Sequence, residues 1–133
     1  MKRLGIPILL VVVVTGTGCF RGPKINVNIG GGTVEIGDYA ALASGAKIIA
    51  GSNRPSGVSM SAASPQEMQI VNRSRVYIAR YAFLGAGAIV LPGVTLNEGA
   101  VLGAGAVATR DIPEWEIWAG VPARKIGERA VNA

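Results

Sequence analysis

Histidine is missing from the 133-residue sequence, cysteine occurs once, at Cys19, and aromatic residues make up only 5%. Without histidine no imidazole base can act, and a lone cysteine forms neither an internal disulfide nor a Cys/His zinc site. We therefore expect no metal site. Few aromatic rings beside 19 glycines predict a core of small aliphatic side chains and a backbone with many tight turns.

Acidic residues are outnumbered by basic ones, 8 against 13, which gives a net charge of +5. This charge indicates an anionic partner: nucleic acid, a phosphate-bearing cofactor or a membrane surface. Nucleic-acid binding is not expected, because the chain lacks a recognition helix and any segment in which aromatic and basic residues interleave. Membrane association is not expected either, since the apolar run from Leu4 to Val14 is too short to span a bilayer.

The N-terminal segment has two interpretations. Lys2 and Arg3 precede the apolar run and "TGTGC" follows it, which is the layout of a secretory signal. We favour a buried β-strand, because residues 11–14 are all valine and β-branched residues suit strands. Residues 1–33 are thus predicted to form N-terminal strands or a cap, in a cytoplasmic protein. Export is the alternative if residues 1–19 act as a signal.

A six-residue repeat dominates the second half of the chain. From Ile78 the units IARYAF, LGAGAI, VLPGVT, LNEGAV, LGAGAV and ATRDIP follow in phase, and IGDYAA, LASGAK and IIAGSN repeat the pattern from Ile36. The first position is aliphatic throughout, and the fifth is mostly a small apolar residue. A period of six fits neither a helix nor a simple strand, so each unit predicts a short strand followed by a corner. Three units close a triangle, and each strand stacks in parallel on the strand three units before it.

The repeat is interrupted in the middle of the chain. Arg54, Met60, Gln66 and Asn72 stand where the sixfold pattern requires aliphatic residues. We predict one domain with coils over 34–53 and 76–113, a loop excursion over 54–75 and a C-terminal tail over 114–133. A loop of this length in a compact domain is usually functional or disordered.

Two tryptophans lie in the predicted tail. Trp115 and Trp118 are three positions apart, so an extended segment would direct them to opposite sides. We expect one of them to pack on the prism or on a neighbouring subunit, and we favour a structural role over contact with a substrate.

The segment from Tyr77 to Arg129 resembles the C-terminal half of the hexapeptide-repeat acyltransferases, which include sugar O-acetyltransferases. The most diagnostic pieces are "LPGVTL", "LGAGAVATRDIP" and "AGVPARKI". The resemblance implies an all-β, left-handed parallel β-helix that assembles as a homotrimer. It further implies transfer of an acetyl group from acetyl-CoA to a hydroxyl of a sugar or polysaccharide precursor.

The resemblance also implies five cofactor-binding residues: Ala86, Ala104, Thr109, Arg110 and Arg124. The two alanines match positions that contact the pantetheine arm of CoA, and Thr109 and Arg110 match a pair that reaches the cofactor. Arg124 matches the basic residue facing the nucleotide phosphates, which a planar guanidinium binds well; Arg129 could supply a second such residue. The alternative is that the alanines are only corner residues and the arginines only solvated charges.

The family usually carries its catalytic histidine in the excursion, where this chain has Ser52 and Asn53. Neither side chain accepts a proton at neutral pH, although either could orient an acceptor or stabilise an oxyanion. Glu67 is the only carboxylate in the loop and could act as the base if it is buried. The alternative is a catalytically silent or truncated trimeric homologue that serves as a binding or structural module.

Overall fold

The computed structural model describes residues 11–13, 18–19, 25–29, 32–61 and 63–131. Within these ranges the chain forms a short 3-10 helix, Gln66–Met68, and sixteen strands. The strands are β1 (Val11–Val13), β2 (Gly18–Cys19), β3 (Ile25–Ile29), β4 (Gly32–Ile36), β5 (Ala41–Leu42), β6 (Lys47–Ile49), β7 (Gly51–Asn53), β8 (Val71–Arg73), β9 (Arg75–Ile78), β10 (Phe83–Leu84), β11 (Ile89–Val90), β12 (Thr95–Leu96), β13 (Val101–Leu102), β14 (Val107–Ala108), β15 (Glu116–Ala119) and β16 (Arg124–Glu128).

The coil strands stack as three faces of a triangular prism. Face 1 contains β4, β9 and β12, face 2 contains β5, β10, β13 and β15, and face 3 contains β6, β11 and β14. All stacked pairs within these faces are parallel. The register on face 2 is shown by its consecutive rungs, which are Leu42, Leu84, Leu102 and Trp118. The predicted all-β, left-handed parallel β-helix is confirmed.

The interior of the prism is made of the residues that the sixfold pattern selects. The first positions of the six units from Ile78 are each no more than 1% exposed, and the fifth positions no more than 2%. Among the described residues no buried side chain is polar or charged. Each strand therefore contributes one aliphatic rung, and the stacked rungs remove apolar surface from water, which is the main stabilising term.

Three antiparallel strands lie beside the first coil. β1 pairs with β6, β2 with β5, and β3 with β4, so every face gains one antiparallel strand at this end. This arrangement pairs strand edges that would otherwise expose unpaired backbone groups. The segment with the layout of a secretory signal falls largely on residues 1–10 and 14–17, which lie outside the described residues.

The excursion leaves the prism after face 3 and returns to face 1. Leu84 and Leu102 are one regular turn of the coil apart, whereas the chain between Leu42 and Leu84 is more than twice as long, although both pairs are directly stacked. The base of the excursion is a hairpin in which β7 pairs antiparallel with β8, and the hairpin continues where the Arg54 N–H donates to the Ile70 carbonyl at 2.7 Å. Residues 51–53, assigned to the coil from the sequence, are thus part of the excursion.

No helix in the described part of the chain has the length and apolar character needed to cross a membrane.

Candidate functional site

The outward side chains differ in polarity from one face of the prism to another. Face 2 presents Ala41, Phe83, Val101 and Ile117, and face 3 presents Lys47, Ile89 and Val107. Face 1 instead presents Thr33, Glu35, Arg75, Tyr77 and Thr95. Two adjacent faces are therefore largely apolar, and the third is polar.

A column of small residues runs down the corner between faces 2 and 3. We call Ser44, Ala86 and Ala104 the small-residue corner. All three are exposed. The turns stack directly, because the Gly87 N–H donates to the Ser44 carbonyl at 3.0 Å and the Gly105 N–H to the Ala86 carbonyl at 2.9 Å. Small side chains leave the backbone along this corner open to an extended ligand.

The C-terminal strand adds a positive charge to the small-residue corner. Arg124 is exposed, pairs with Ala119 at the end of face 2 and follows buried Ala123, whose N–H donates to the Val107 carbonyl at 2.9 Å. The structure therefore brings Arg124 to the same corner as the two alanines. Thr109 and Arg110 are also exposed, but they follow β14 and so lie at the other end of face 3.

The three candidate catalytic residues lie on the excursion. Ser52 and Asn53 belong to β7 and pair with Asn72 and Val71; their side chains lie outside what the structure describes. Glu67 is on the 3-10 helix and is exposed in the single chain. The structure therefore does not give Glu67 the burial that would make it an effective base.

A second column, on the corner between faces 1 and 2, was not predicted from the sequence. We call Tyr39, Tyr81, Gly99 and Trp115 the aromatic corner. The Tyr39 and Tyr81 rings stack with centroids 5.6 Å apart and planes 8° apart, and Tyr81 and Trp115 with centroids 6.2 Å apart and planes 27° apart. The contact between Tyr81 and Trp115 requires glycine at position 99, because a Cβ on Gly99 would overlap the Trp115 ring.

The three aromatic residues adopt a backbone conformation that bulky side chains rarely take. Their φ angles are 60° for Tyr39, 62° for Tyr81 and 59° for Trp115, in the left-handed region that favours glycine or asparagine. A signal existed in the repeat: both tyrosines occupy the fourth position of their units, where five other units have glycine with positive φ.

Arg129 holds the aromatic corner together. Its Nη1 donates to the Tyr81 and Gly99 carbonyls, each at 3.0 Å, and its guanidinium lies 5.2 Å from the Trp115 ring centroid. The suggestion that Arg129 supplies a second phosphate-binding residue is therefore wrong, because its side chain is bound at a different corner from Arg124.

The two tryptophans point to different environments, as predicted, and both pack on their own prism. Trp118 is 8% exposed and closes the C-terminal end of the interior, with its Nε1 donating to Glu116 Oε1 at 2.9 Å. Trp115 belongs to the aromatic corner and lies outside.

A groove of about 300 Å³ opens beside the aromatic corner, and its lining includes Asp38, Tyr77, Arg80, Asn97, Glu98 and Glu114. Arg80 donates a hydrogen bond to Glu98 within an ion pair. That hydrogen bond raises the pKa of the Arg80 guanidinium above its ordinary value. The lining thus offers both hydrogen-bond donors and acceptors, with negative charge in excess.

No protein-family model matches the chain, but individual proteins do. It is 38% identical over 103 residues to a dTDP-4-amino-4,6-dideoxy-D-glucose acyltransferase of Escherichia coli, a match that covers 77% of this chain and 54% of the relative. It is 34% identical over 130 residues to a galactoside O-acetyltransferase of Lactococcus lactis, which covers 85% of this chain and 63% of the relative.

The fold is similar to that of a solved variant of AntD, an N-acyltransferase from Bacillus cereus in complex with dTDP-4-amino-4,6-dideoxyglucose and coenzyme A. The TM-score is 0.70, with 30% identity over 74% of this chain and 53% of that one. In both sequence and fold the chain is therefore similar to the hexapeptide-repeat acyltransferases. It spans between 54% and 63% of the length of the two curated relatives described here.

Proposed function

We propose that the protein transfers an acyl group, most simply acetyl, from acyl-CoA to a sugar. The observation that carries this proposal is the small-residue corner ending at Arg124. An extended pantetheine arm can lie along the backbone beside the small side chains of Ser44, Ala86 and Ala104, and the exposed Arg124 guanidinium would then bind the nucleotide phosphates. Thr109 and Arg110, at the far end of face 3, are proposed to contact the cofactor from a neighbouring subunit.

The assembly we propose is a homotrimer. Faces 2 and 3 meet at the small-residue corner and present outward apolar side chains, which would lose contact with water against other copies. The described part of the excursion also exposes four large apolar side chains: Val58, Met60, Met68 and Ile70. A second copy would cover them and would bring the excursion, with Ser52, Asn53 and Glu67, to the cofactor.

Because the sequence has no histidine, a group other than imidazole must take the proton of a hydroxyl acceptor. A hydroxyl must lose its proton as its oxygen attacks the thioester carbonyl, and Glu67, covered by a second copy, is the proposed base. Ser52 or Asn53 would orient the acceptor or donate to the oxyanion. The CoA thiolate then leaves. The proposal keeps the expected cytoplasmic location, since acyl-CoA is made inside the cell.

A second candidate is N-acyl transfer to an amino sugar. It is favoured by the E. coli relative, which is named for an amino sugar, and by AntD, an N-acyltransferase solved in complex with one. An unprotonated amine attacks the thioester with its own lone pair and releases its proton after the bond forms. Such an acceptor therefore depends less on a general base, which fits a chain without histidine.

The decisive experiment is equilibrium binding of acetyl-CoA by calorimetry. We expect Arg124→Ala to weaken binding about tenfold. Arg75→Ala, which removes an exposed arginine from face 1, is the matched control and should leave affinity unchanged. If the unaltered protein does not bind acetyl-CoA with a Kd below about 1 mM, the acyltransferase proposal is rejected. The alternative of a binding or structural module then remains.

Turnover distinguishes the two acceptors. Thioester cleavage is measured with a galactoside and with dTDP-4-amino-4,6-dideoxyglucose. If Glu67 is the base, Glu67→Gln abolishes transfer to the hydroxyl and leaves acetyl-CoA binding intact. Equal rates for Glu67→Gln and the unaltered protein would reject Glu67 as the base.

A further inference from the structure

The groove on face 1 and the aromatic corner form two parallel columns. Within each turn, one residue lines the groove and the next belongs to the corner. The four groove residues are Asp38, Arg80, Glu98 and Glu114, and their successors are Tyr39, Tyr81, Gly99 and Trp115. Polar groups and aromatic rings therefore run side by side along the same edge of the prism.

Burial does not account for the rings in this column. Tyr39 is 53% exposed and Tyr81 is 41% exposed, yet both adopt left-handed backbone conformations. Glycine or asparagine would occupy these corners with less strain. Strained backbone conformations cluster at active sites, ligand clamps and switch regions, so exposed rings in this conformation point to a ligand.

The charge of the groove limits what that ligand can be. Asp38, Glu98 and Glu114 outweigh Arg80, which is itself ion-paired with Glu98. An anionic ligand such as a nucleotide phosphate is therefore disfavoured here, in contrast to the corner that carries Arg124. Carboxylates and the Asn97 amide are instead suited to hydroxyl groups, and about 300 Å³ lies within the size range of small-ligand sites.

We infer that this groove is a second saccharide-binding site, which takes an uncharged sugar unit. The rings of the aromatic corner stack on one another, so the sugar's C–H groups lie against their exposed edges and against Tyr77, and its hydroxyls bond to the carboxylates and Asn97. The choice of a sugar rests on the proposed function, but binding at this groove needs no acyl transfer. Face 1 has polar outward side chains and stays free when faces 2 and 3 are covered. The site can thus hold one unit of an acceptor outside the acyl-transfer site.

The inference is tested by amide NMR on the full-length protein without CoA, with maltotriose and N-acetylated chitotriose as probes. We expect shifts at residues 38–39, 80–81, 98–99 and 114–115 and none at Ala86 or Ala104. The inference is overturned if neither sugar binds up to about 10 mM, or if the shifts are confined to other surfaces.

Tyr81→Asn removes the central ring while keeping a residue that tolerates the left-handed conformation. We expect the affinity for the bound sugar to fall about tenfold with acetyl-CoA binding unchanged. Glu128→Gln, an exposed carboxylate outside the groove, should leave sugar affinity unchanged. If Tyr81→Asn loses acetyl-CoA binding through misfolding, Tyr39→Asn, at the exposed end of the stack, replaces it. Unchanged sugar affinity in a folded variant overturns the inference.

The two proposals fail separately. Loss of sugar binding at the groove with normal acetyl-CoA binding rejects only the second site. Normal sugar binding by a protein that binds no acetyl-CoA rejects only the acyltransferase.

Discussion

Two corners of the same prism share a backbone turn and differ completely in side chains. At the small-residue corner, Ala86 and Ala104 leave the backbone open, and the glycines after them have φ near 69° and 68°. At the aromatic corner, Tyr81 takes the same left-handed conformation with φ of 62° and covers the backbone with a ring. The repeat therefore fixes the corner geometry, while the residue at its fourth position decides whether a corner exposes its backbone or covers it with a ring.

The largest effect is expected from adding one methyl group at equivalent turns. Gly99 and Gly105 have φ of 69° and 68°, but a Cβ at Gly99 would overlap the Trp115 ring, whereas a Cβ at Gly105 has nothing within 4 Å. Gly105→Ala should cost about 1 to 2 kcal/mol, the left-handed penalty alone. Gly99→Ala should cost about 3 kcal/mol or more, since Trp115 must also move.

Guanidinium-induced unfolding measures both free energies. The overlap explanation predicts that the double variant Gly99→Ala with Trp115→Ala is less destabilised than the sum of the two single variants. Equal losses for Gly99→Ala and Gly105→Ala would show that the aromatic corner adapts freely, contrary to a tightly packed stack.

The second prediction makes the small-residue corner resemble the aromatic one. Ala104→Trp places a ring over the exposed backbone and should weaken acetyl-CoA binding about tenfold or more by steric exclusion. Because Ala104 is exposed, the free energy of unfolding should change by only about 0.5 kcal/mol. Ala130→Trp, at another exposed alanine, is the control. Unchanged affinity in Ala104→Trp would remove the corner from the cofactor path.

The third prediction separates two arginines at the ends of one hairpin arm. Arg129→Ala removes two hydrogen bonds to carbonyls and a contact with the Trp115 ring, and should cost about 1 to 2 kcal/mol of stability. Arg124→Ala should cost about 0.5 kcal/mol or less and act on acetyl-CoA affinity instead. Thermal unfolding and calorimetry measure the two effects. If Arg129→Ala instead weakened acetyl-CoA binding and Arg124→Ala instead lowered stability, these assignments would be wrong.

The prism could be predicted from the sequence because its interior requires one buried aliphatic residue from each strand, which repeats every six positions. Leu84 and Leu102 stack directly, as a triangular coil of three six-residue units demands. The β7–β8 hairpin is not predicted, because antiparallel pairing outside the prism imposes no sixfold pattern. The stacking of Tyr39 on Tyr81 is not predicted either, since it depends on which corners superpose after the excursion. Contacts across the excursion depend on three-dimensional register, which local pattern does not supply.

The smallest effect is expected from the ion pair between Lys125 and Glu128 on β16, which lie between Arg124 and Arg129 in the sequence. Lys125 Nζ lies 2.9 Å from Glu128 Oε1 and 3.4 Å from Glu116 Oε2. The hydrogen bond from Lys125 lowers the pKa of Glu128, and the same bond raises the pKa of Lys125. Glu128 therefore adds stability above its unfolded-state pKa that is lost as pH falls through its folded-state pKa. Lys125 adds stability below its unfolded-state pKa that is lost as pH rises through its folded-state pKa.

The pair thus contributes fully only between the ordinary pKa values of a glutamate and a lysine, and weakly, because both side chains are exposed. Carboxyl ¹³C NMR titration of Glu128 measures its pKa directly. We expect Lys125→Ala to raise that pKa towards its ordinary value, and about 0.5 M salt to do so in part. A titration midpoint unmoved by Lys125→Ala would show that Lys125 does not hold Glu128 in an ion pair.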